Sequence, residues 1–222
     1  MENLKSNVKS YVLRQGRMSN AQRRSYENLS SRYCLEKGRG DLFFANSNPL
    51  VIEIGFGMGR ATALIAEQNP DVNYLGIEVY RPGIGKLLWE IEKRGLENIR
   101  IIEGDAAEII SEEIPEKSAA GFHIFFPDPW PKKRHHKRRL ITRPFTDVLA
   151  SRLAGGGYIY MVTDSADYGA WALLELSMTS GLANTWAGGF APPQERRPRT
   201  EFEAKGIAKQ HEIKELYFVK NA

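Results

Sequence analysis

Between Leu50 and Thr163, short runs of β-branched and apolar residues alternate with stretches of helical periodicity, and that alternation leaves few folds open. Strands are expected at Leu50–Ile54, 74–79, Ile99–Glu103, 122–126 and 158–163. Helices are expected at Arg60–Gln68, where Ala61, Leu64 and Ile65 share a face, at 84–94, closed by Gly95, and at 142–153, followed by a glycine turn at 155–157. Strands that alternate with helices build βαβ units, so the class is α/β, with a mostly parallel sheet and helices on both faces. In such sheets ligands bind at the carboxyl ends of the strands. The segment 188–198 is rich in Gly and Pro, and 212–220 alternates enough to add one more strand.

With 222 residues, the chain is sized for one substantial core. The expected division is a basic N-terminal arm, 1–40, and one domain, 41–222. Within the arm, Ser19 followed by Gln22 reads as a capping box opening a helix toward Glu36, and Gly38 and Gly40 close the segment. No apolar run reaches the roughly 18 residues of a membrane span, and the first residues do not resemble a signal peptide, so no membrane partner and a cytoplasmic setting are expected. Cys34 is the only cysteine, which excludes an internal disulfide and a cysteine-rich zinc site. The net charge of +4 is modest, but its distribution is uneven. Lys5, Lys9, Arg14, Arg17, Arg23 and Arg24 face only Glu2 before Tyr26, and the run 132–139 contains no acid. Two basic segments on one domain point to a polyanion.

In Glu53-Ile54-Gly55-Phe56-Gly57-Met58-Gly59, glycines alternate where a strand turns into a helix, so backbone can approach a ligand closely. A dinucleotide site or a plain tight turn would also use such a loop. Three acids narrow the choice. Glu53 ends the first strand, where its charge repels a pyrophosphate and attracts an ammonium or sulfonium. Glu78 ends the second strand at the spacing of an acid that accepts from ribose hydroxyls, and Asp105 follows the third strand, placed to meet an adenine amino group. Together they form a cleft for a cationic nucleoside.

The fourth strand runs into Phe126-Pro127-Asp128-Pro129-Trp130-Pro131. Each proline fixes its own φ and pushes its predecessor toward an extended conformation, so Phe126, Asp128 and Trp130 are expected to be extended and rigidly aimed. The bland alternative is a turn in which Asp128 bonds its own backbone. Next come Lys132, Lys133, Arg134, His135, His136, Lys137, Arg138 and Arg139, a density of cations that would self-repel without an anion against it, so phosphate contact is expected. Adjacent histidines without further ligands at metal spacing join that face, and no metal is expected.

On these residues the chain closely resembles the bacterial tRNA (guanine-N7)-methyltransferase family. The resemblance runs from Arg14-Gln15-Gly16-Arg17, through Glu53-Ile54-Gly55-Phe56-Gly57, Gly76-Ile77-Glu78 and the segment from Pro127 to His135, to Val162-Thr163-Asp164 and Thr200-Glu201-Phe202-Glu203. It implies a Rossmann-like S-adenosylmethionine-dependent methyltransferase fold, with Glu53, Glu78, Asp105 and Asp128 beside the cofactor together with Gly55, Gly57 and Gly59. Lys132, Asp164 and Thr200 to Glu203 match the family's substrate-binding positions; the family often has Lys where Glu201 stands. The implied reaction is methylation of N7 of a guanine in tRNA, guanine 46 of the variable loop. N7 attacks without prior deprotonation, so Asp128 is expected to act electrostatically, stabilising the positive charge that passes to the base and accepting from its N1 and N2 groups. Three rivals stay open: a methyltransferase of another RNA such as rRNA, a nicotinamide-dependent oxidoreductase, and a non-catalytic RNA-binding protein.

Overall fold

The computed structural model of the chain describes residues 9–12, 16–38, 44–193, 197–198, 203 and 212–221. In chain order the elements are α1 (Asn20–Tyr33), β1 (Leu50–Ile54), α2 (Arg60–Gln68), β2 (Asn73–Glu78), α3 (Arg81–Arg94), β3 (Ile99–Glu103), α4 (Ala106–Glu113), β4 (Ala119–Phe125), α5 (Arg143–Arg152), β5 (Leu153–Thr163), α6 (Ala166–Ser177), β6 (Leu182–Asn184) and β7 (Lys214–Lys220). The strands form one sheet in the order β3-β2-β1-β4-β5-β7-β6. The first five strands pair in parallel, and β7 enters antiparallel between β5 and β6. The order reverses between β1 and β4, so a crevice opens at the carboxyl ends of those two strands.

Period-two alternation divides the sheet residues between two cores. Ile52, Ile77, Phe122, Ile159 and Phe218 face α4, α5 and α6, whereas Val51, Tyr74, Phe125 and Tyr160 share the other face with α1, α2 and α3. The capping box at Ser19 forms as expected: Gln22 N donates to Ser19 Oγ at 3.3 Å and Ser19 N donates to Gln22 Oε1 at 2.7 Å. The helix ends at Tyr33, short of Glu36, because Cys34 enters a parallel bridge with Ile101 and Leu35 N donates to Ile101 O at 2.8 Å. Tyr33 is buried, so α1 packs into the layered core.

The glycine turn expected at 155–157 lies inside β5. Gly156 has φ +75°, and the β4–β5 register shifts between Ala119 and Gly121. A β-carbon on Gly121 would stand 2.5 Å from the Tyr158 ring, so the glycine lets the bulged strand pass close by. Three elements lack a counterpart in the sequence reading: α4, α6 and β6. Asp105 caps α4 by accepting from Ala107 N, Ser165 caps α6 by accepting from Tyr168 N, and Tyr168, Ala172 and Leu176 make the buried stripe of α6. No helix among the described residues is long and apolar enough to cross a membrane.

On the face shared with α1 to α3, His123 of β4 is buried among aromatic rings. Its ring stacks on Phe125 at 5.0 Å and meets the edge of Tyr160 at 6.0 Å, and Nε2 lies 2.9 Å from Tyr158 Oη. Nδ1 has no hydrogen-bond partner among the described residues. Burial pushes the imidazole pKa from 6.5 down to about 3, so the ring stays neutral in the fold. The unfolded chain therefore binds this proton first, and the stability present above pH 6.5 is lost as pH falls below it, by about 1.4 kcal/mol per unit. Denaturant titrations at pH 7 and pH 5 should show His123→Gln losing about 2 kcal/mol less than the parent between the two. Equal losses would place this acid sensitivity elsewhere.

Candidate active site

The loop between β1 and α2 is built on left-handed glycines. Gly55, Gly57 and Gly59 have φ of +73°, +57° and +68°. The loop is pressed from the side by α3: a β-carbon on Gly83 would stand 1.9 Å from Gly57 O, so only glycine fits that approach. Glu78, at the end of β2, grips the same loop. Its Oε2 accepts from Gly57 N at 2.7 Å, and its Oε1 accepts from Val79 N at 2.8 Å and Tyr80 N at 3.1 Å. Burial raises the Glu78 pKa, these backbone donors oppose the rise, and Asp128 adds to it. Glu53, at the end of β1, is fully buried. Burial raises its pKa to about 7, the neighbouring Thr62 hydroxyl opposes the rise, and Glu78 adds to it. Glu53 Oε2 has no hydrogen-bond partner among the described residues. Three carboxylates, Glu53, Glu78 and Asp128, thus lie within electrostatic reach in sequence along the carboxyl edge of β1, β2 and β4. Asp105, after β3, spends one oxygen on the α4 cap at 2.9 Å.

The turn after β4 departs from expectation. Phe126 and Trp130, both before prolines, have φ of +52° and +45°, where extended backbone was expected. A bulky side chain in that region costs on the order of 1–3 kcal/mol and persists only where its surroundings over-determine it. They do so here. Phe126 N donates to Val162 O at 2.8 Å, Trp130 Nε1 donates to Ser10 O at 3.0 Å, and Arg139 Nε donates to Pro129 O at 3.1 Å. The Arg138 guanidinium lies 4.9 Å from the centre of the Trp130 ring.

The basic run is not one surface. Residues Lys133–Arg138 form a 3₁₀ helix, whose three-residue period aligns side chains at i and i+3. His135 and Arg138 fall on Trp130. Partial desolvation and the cations Arg134, Lys132, Arg138 and Lys137 hold His135 below its ordinary pKa. His136 meets the edge of Trp171 at 5.9 Å, and Arg139 turns inward. Its side chain is 1% exposed, and it ion-pairs with Asp167, donates toward His136 Nε2 and stacks near Tyr168 and Trp171. Arg139 was expected among the phosphate contacts; its burial takes it off the surface. Lys132, Lys133, Arg134 and Lys137 remain exposed.

Residues 47–216 match the family model described as "Putative methyltransferase". The chain is 48% identical to the tRNA (guanine-N(7)-)-methyltransferase of Nitrosospira multiformis, over 96% of this chain and 94% of that one. It is 46% identical to the enzyme of the same name from Treponema pallidum, over 96% of each chain. The chain belongs to the bacterial tRNA (guanine-N7)-methyltransferase family. Among solved structures, the 16S rRNA methyltransferase KamB shares the fold with a TM-score of 0.57 at 14% identity, covering 97% of this chain and 99% of that one. An rRNA methylase from Streptococcus thermophilus aligns with a TM-score of 0.52 at 13% identity, over 80% and 89% of the two chains.

Methyltransferases of this family and fold use S-adenosylmethionine, and the residues fit it. The glycine loop has room for close approach, and a buried carboxylate oxygen on Glu53 awaits a donor or a positive charge. Of the residues that the resemblance places at the substrate, Asp164 lies directly after β5, one strand over from the strand that leads to Asp128. Glu203 is buried, with both oxygens on Arg197, so its carboxylate is committed within the protein. Thr200, Glu201 and Phe202 lie outside the described residues, as do Arg14 and Gln15 of the arm. No cluster of metal-ligating side chains occurs among the described residues. Sequence reading missed Arg197 and Asp167, whose partners stand 6 to 37 and 28 residues away. Because Arg139 holds the turn from inside, Arg139→Met should cost about 1–3 kcal/mol by removing the charged hydrogen bonds from the buried guanidinium to Pro129 O and Asp167, read by chemical denaturation. The exposed Arg134→Ala should stay within about 0.5 kcal/mol of the parent. Equal, small effects would return Arg139 to the surface set.

Proposed function

We propose that this enzyme transfers a methyl group from S-adenosylmethionine to N7 of a guanine in tRNA, guanine 46 of the variable loop, in the cytoplasm. The observation that carries the reading is the succession of carboxylates Glu53, Glu78 and Asp128 along the strand ends beside a glycine cradle, in a chain nearly half identical to relatives of that name. When bound, S-adenosylmethionine supplies an electrophilic methyl group on a cationic sulfur. Glu53 binds the cationic amino-acid end, Glu78 accepts from a ribose hydroxyl with the one Oε2 lone pair its three backbone donors leave free, and Asp105 receives the adenine amino group. Gly55, Gly57 and Gly59 allow the close approach.

Asp128 faces the guanine. Its carboxylate accepts from N1-H and the N2 amino group, which selects guanine over adenine, and its charge stabilises the cation forming on the ring as N7 is methylated. No proton must leave N7, so holding the two reactants in line is the main contribution, of order 7–11 kcal/mol at best. Lys132, Lys133, Arg134, Lys137 and Arg138, with His135 and His136 at the edge of the turn, form the phosphate-facing surface; Asp164 lines the substrate side. The base must be splayed from the tRNA stack to reach this depth.

Incubation with tRNA and methyl-labelled cofactor, followed by nucleoside digestion, should yield 7-methylguanosine, lost when guanine 46 is replaced. Label in another nucleoside, or only in rRNA, would overturn the assignment. Under single-turnover conditions Asp128→Asn should slow transfer by about 100-fold to 1,000-fold, the effect of removing one preorganised electrostatic group, with little change in cofactor affinity. A rate within twofold of the parent would make Asp128 a turn residue.

Glu53 adds a pH dependence. With its pKa at about 7 in the free enzyme, it must ionise to hold a cation, so cofactor affinity should be lost as pH falls. At pH 6 about a tenth of the molecules carry the ionised form, which makes the apparent Kd roughly tenfold weaker than in the fully ionised enzyme. Calorimetry should show proton release on binding near pH 6.5 and a flat profile for Glu53→Gln. A parent profile as flat as the variant's would remove Glu53 from the cation site.

A further inference from the structure

Arg197 sits at the centre of a buried polar cluster. Its side chain is 3% exposed; Nη1 and Nη2 form a two-pronged ion pair with Glu203, Nη2 at 2.9 Å. Nη2 also reaches Glu215 Oε1 at 3.0 Å, and Nε donates to Tyr160 Oη at 3.1 Å. Tyr160 in turn donates to Glu215 Oε2 at 2.6 Å. Burial works against the guanidinium charge, but Glu203, Tyr160 and Glu215 more than offset it and hold its pKa above the ordinary value. The cluster therefore ties β5, β7 and the two described ends of the 197–203 stretch to one cation. The same guanidinium lies 5.9 Å from the ring centre of Phe125 and 5.8 Å from that of Phe126. Phe126 is the left-handed residue from which the chain turns into Pro127 and Asp128.

Buried ion pairs add little stability relative to well-packed apolar side chains, because desolvation consumes most of their attraction. What such a cluster provides is geometry: a planar fork with five donors accepts few arrangements of its partners. We propose that Arg197 is a positioning residue for methyl transfer, fixing the Phe126 turn, and through it Asp128, against β5 and β7. The proposal rests on the role given to Asp128 above. It makes Glu203 and Glu215 the partners that aim Arg197.

The test compares the full-length parent with Arg197→Lys, Arg197→Ala and Glu203→Gln, measuring thermal unfolding, cofactor affinity by calorimetry, single-turnover methylation of tRNA at saturation, and amide exchange of peptides covering 126–130. Arg197→Lys keeps the charge but loses the fork. It should bind cofactor within threefold of the parent, transfer methyl at least 30-fold more slowly, and exchange faster at Phe126, Asp128 and Trp130. Free guanidinium should restore part of the rate in Arg197→Ala. In combination with Asp128→Asn, Arg197→Lys should slow transfer by much less than the product of the two single effects, since both act through one group. The proposal is overturned if Arg197→Lys and Glu203→Gln transfer methyl within twofold of the parent. Strict multiplicativity with Asp128→Asn, or unchanged exchange at 126–130 in a folded variant, overturns it equally. A parent that transfers no methyl to guanine N7 condemns the functional reading instead, and the exchange measurement still decides whether Arg197 holds the turn.

Discussion

The carboxylate of Glu78 is the interaction on which the cofactor side of the molecule depends. One side chain accepts from Gly57 of the first loop and from Val79 and Tyr80 at the entry to α3. It thereby ties β1, β2, α2 and α3 together at the edge of the sheet. The glycines make that grip possible, because they take up left-handed φ values without the strain a side chain would add, and because Gly83 lets α3 close onto Gly57. A residue that reads as a ligand contact is thus also the keystone of the loop, and its loss should disturb both.

The turn after β4 shows the opposite economy. Two aromatic residues sit in left-handed conformations that their own chemistry disfavours, and the stabilisation comes from distant parts of the chain. Ser10 reaches it from the N-terminal segment, Val162 from β5, Arg139 from the far end of the basic run, and Arg197 from the C-terminal region. Strain held in place at one site by so many partners is a mark of a position that must be aimed, and Asp128 stands in its middle.

Charge is sorted by depth. Acids line the crevice at the strand ends, where a cationic cofactor belongs, while the exposed cations of the basic run, Lys132, Lys133, Arg134 and Lys137, follow directly on the Asp128 turn. The cations that point inward, Arg139 and Arg197, are paired with Asp167 and with Glu203 and Glu215. They shape the site without presenting charge to a ligand.

Much of this fold was legible in the linear chain, because the signals are local. Hydrophobic periodicity marked β1, α2 and β3 to the residue, Ser19 and Gln22 announced the start of α1, and an acid at or just past the end of each of the first three strands pointed to the candidate crevice. The elements it missed, such as α6 and the short β6, carry weaker periodicity or take their identity from the neighbour they pair with. Backbone at Phe126 and Trp130 followed long-range contacts over the local preference of residues before proline. Lys132 to Arg139 read as one basic face, and only the three-residue period of its helix, met by Trp130 on one side and Asp167 on another, divided exposed cations from buried ones. Sequence by itself determined the alternation of the five parallel strands with helices and the segments where candidate ligand-binding residues gather, since propensity and periodicity act over a few residues. Tertiary structure decided which charged groups meet a ligand and which hold the protein to itself, because burial and ion pairing are settled between residues far apart in the chain.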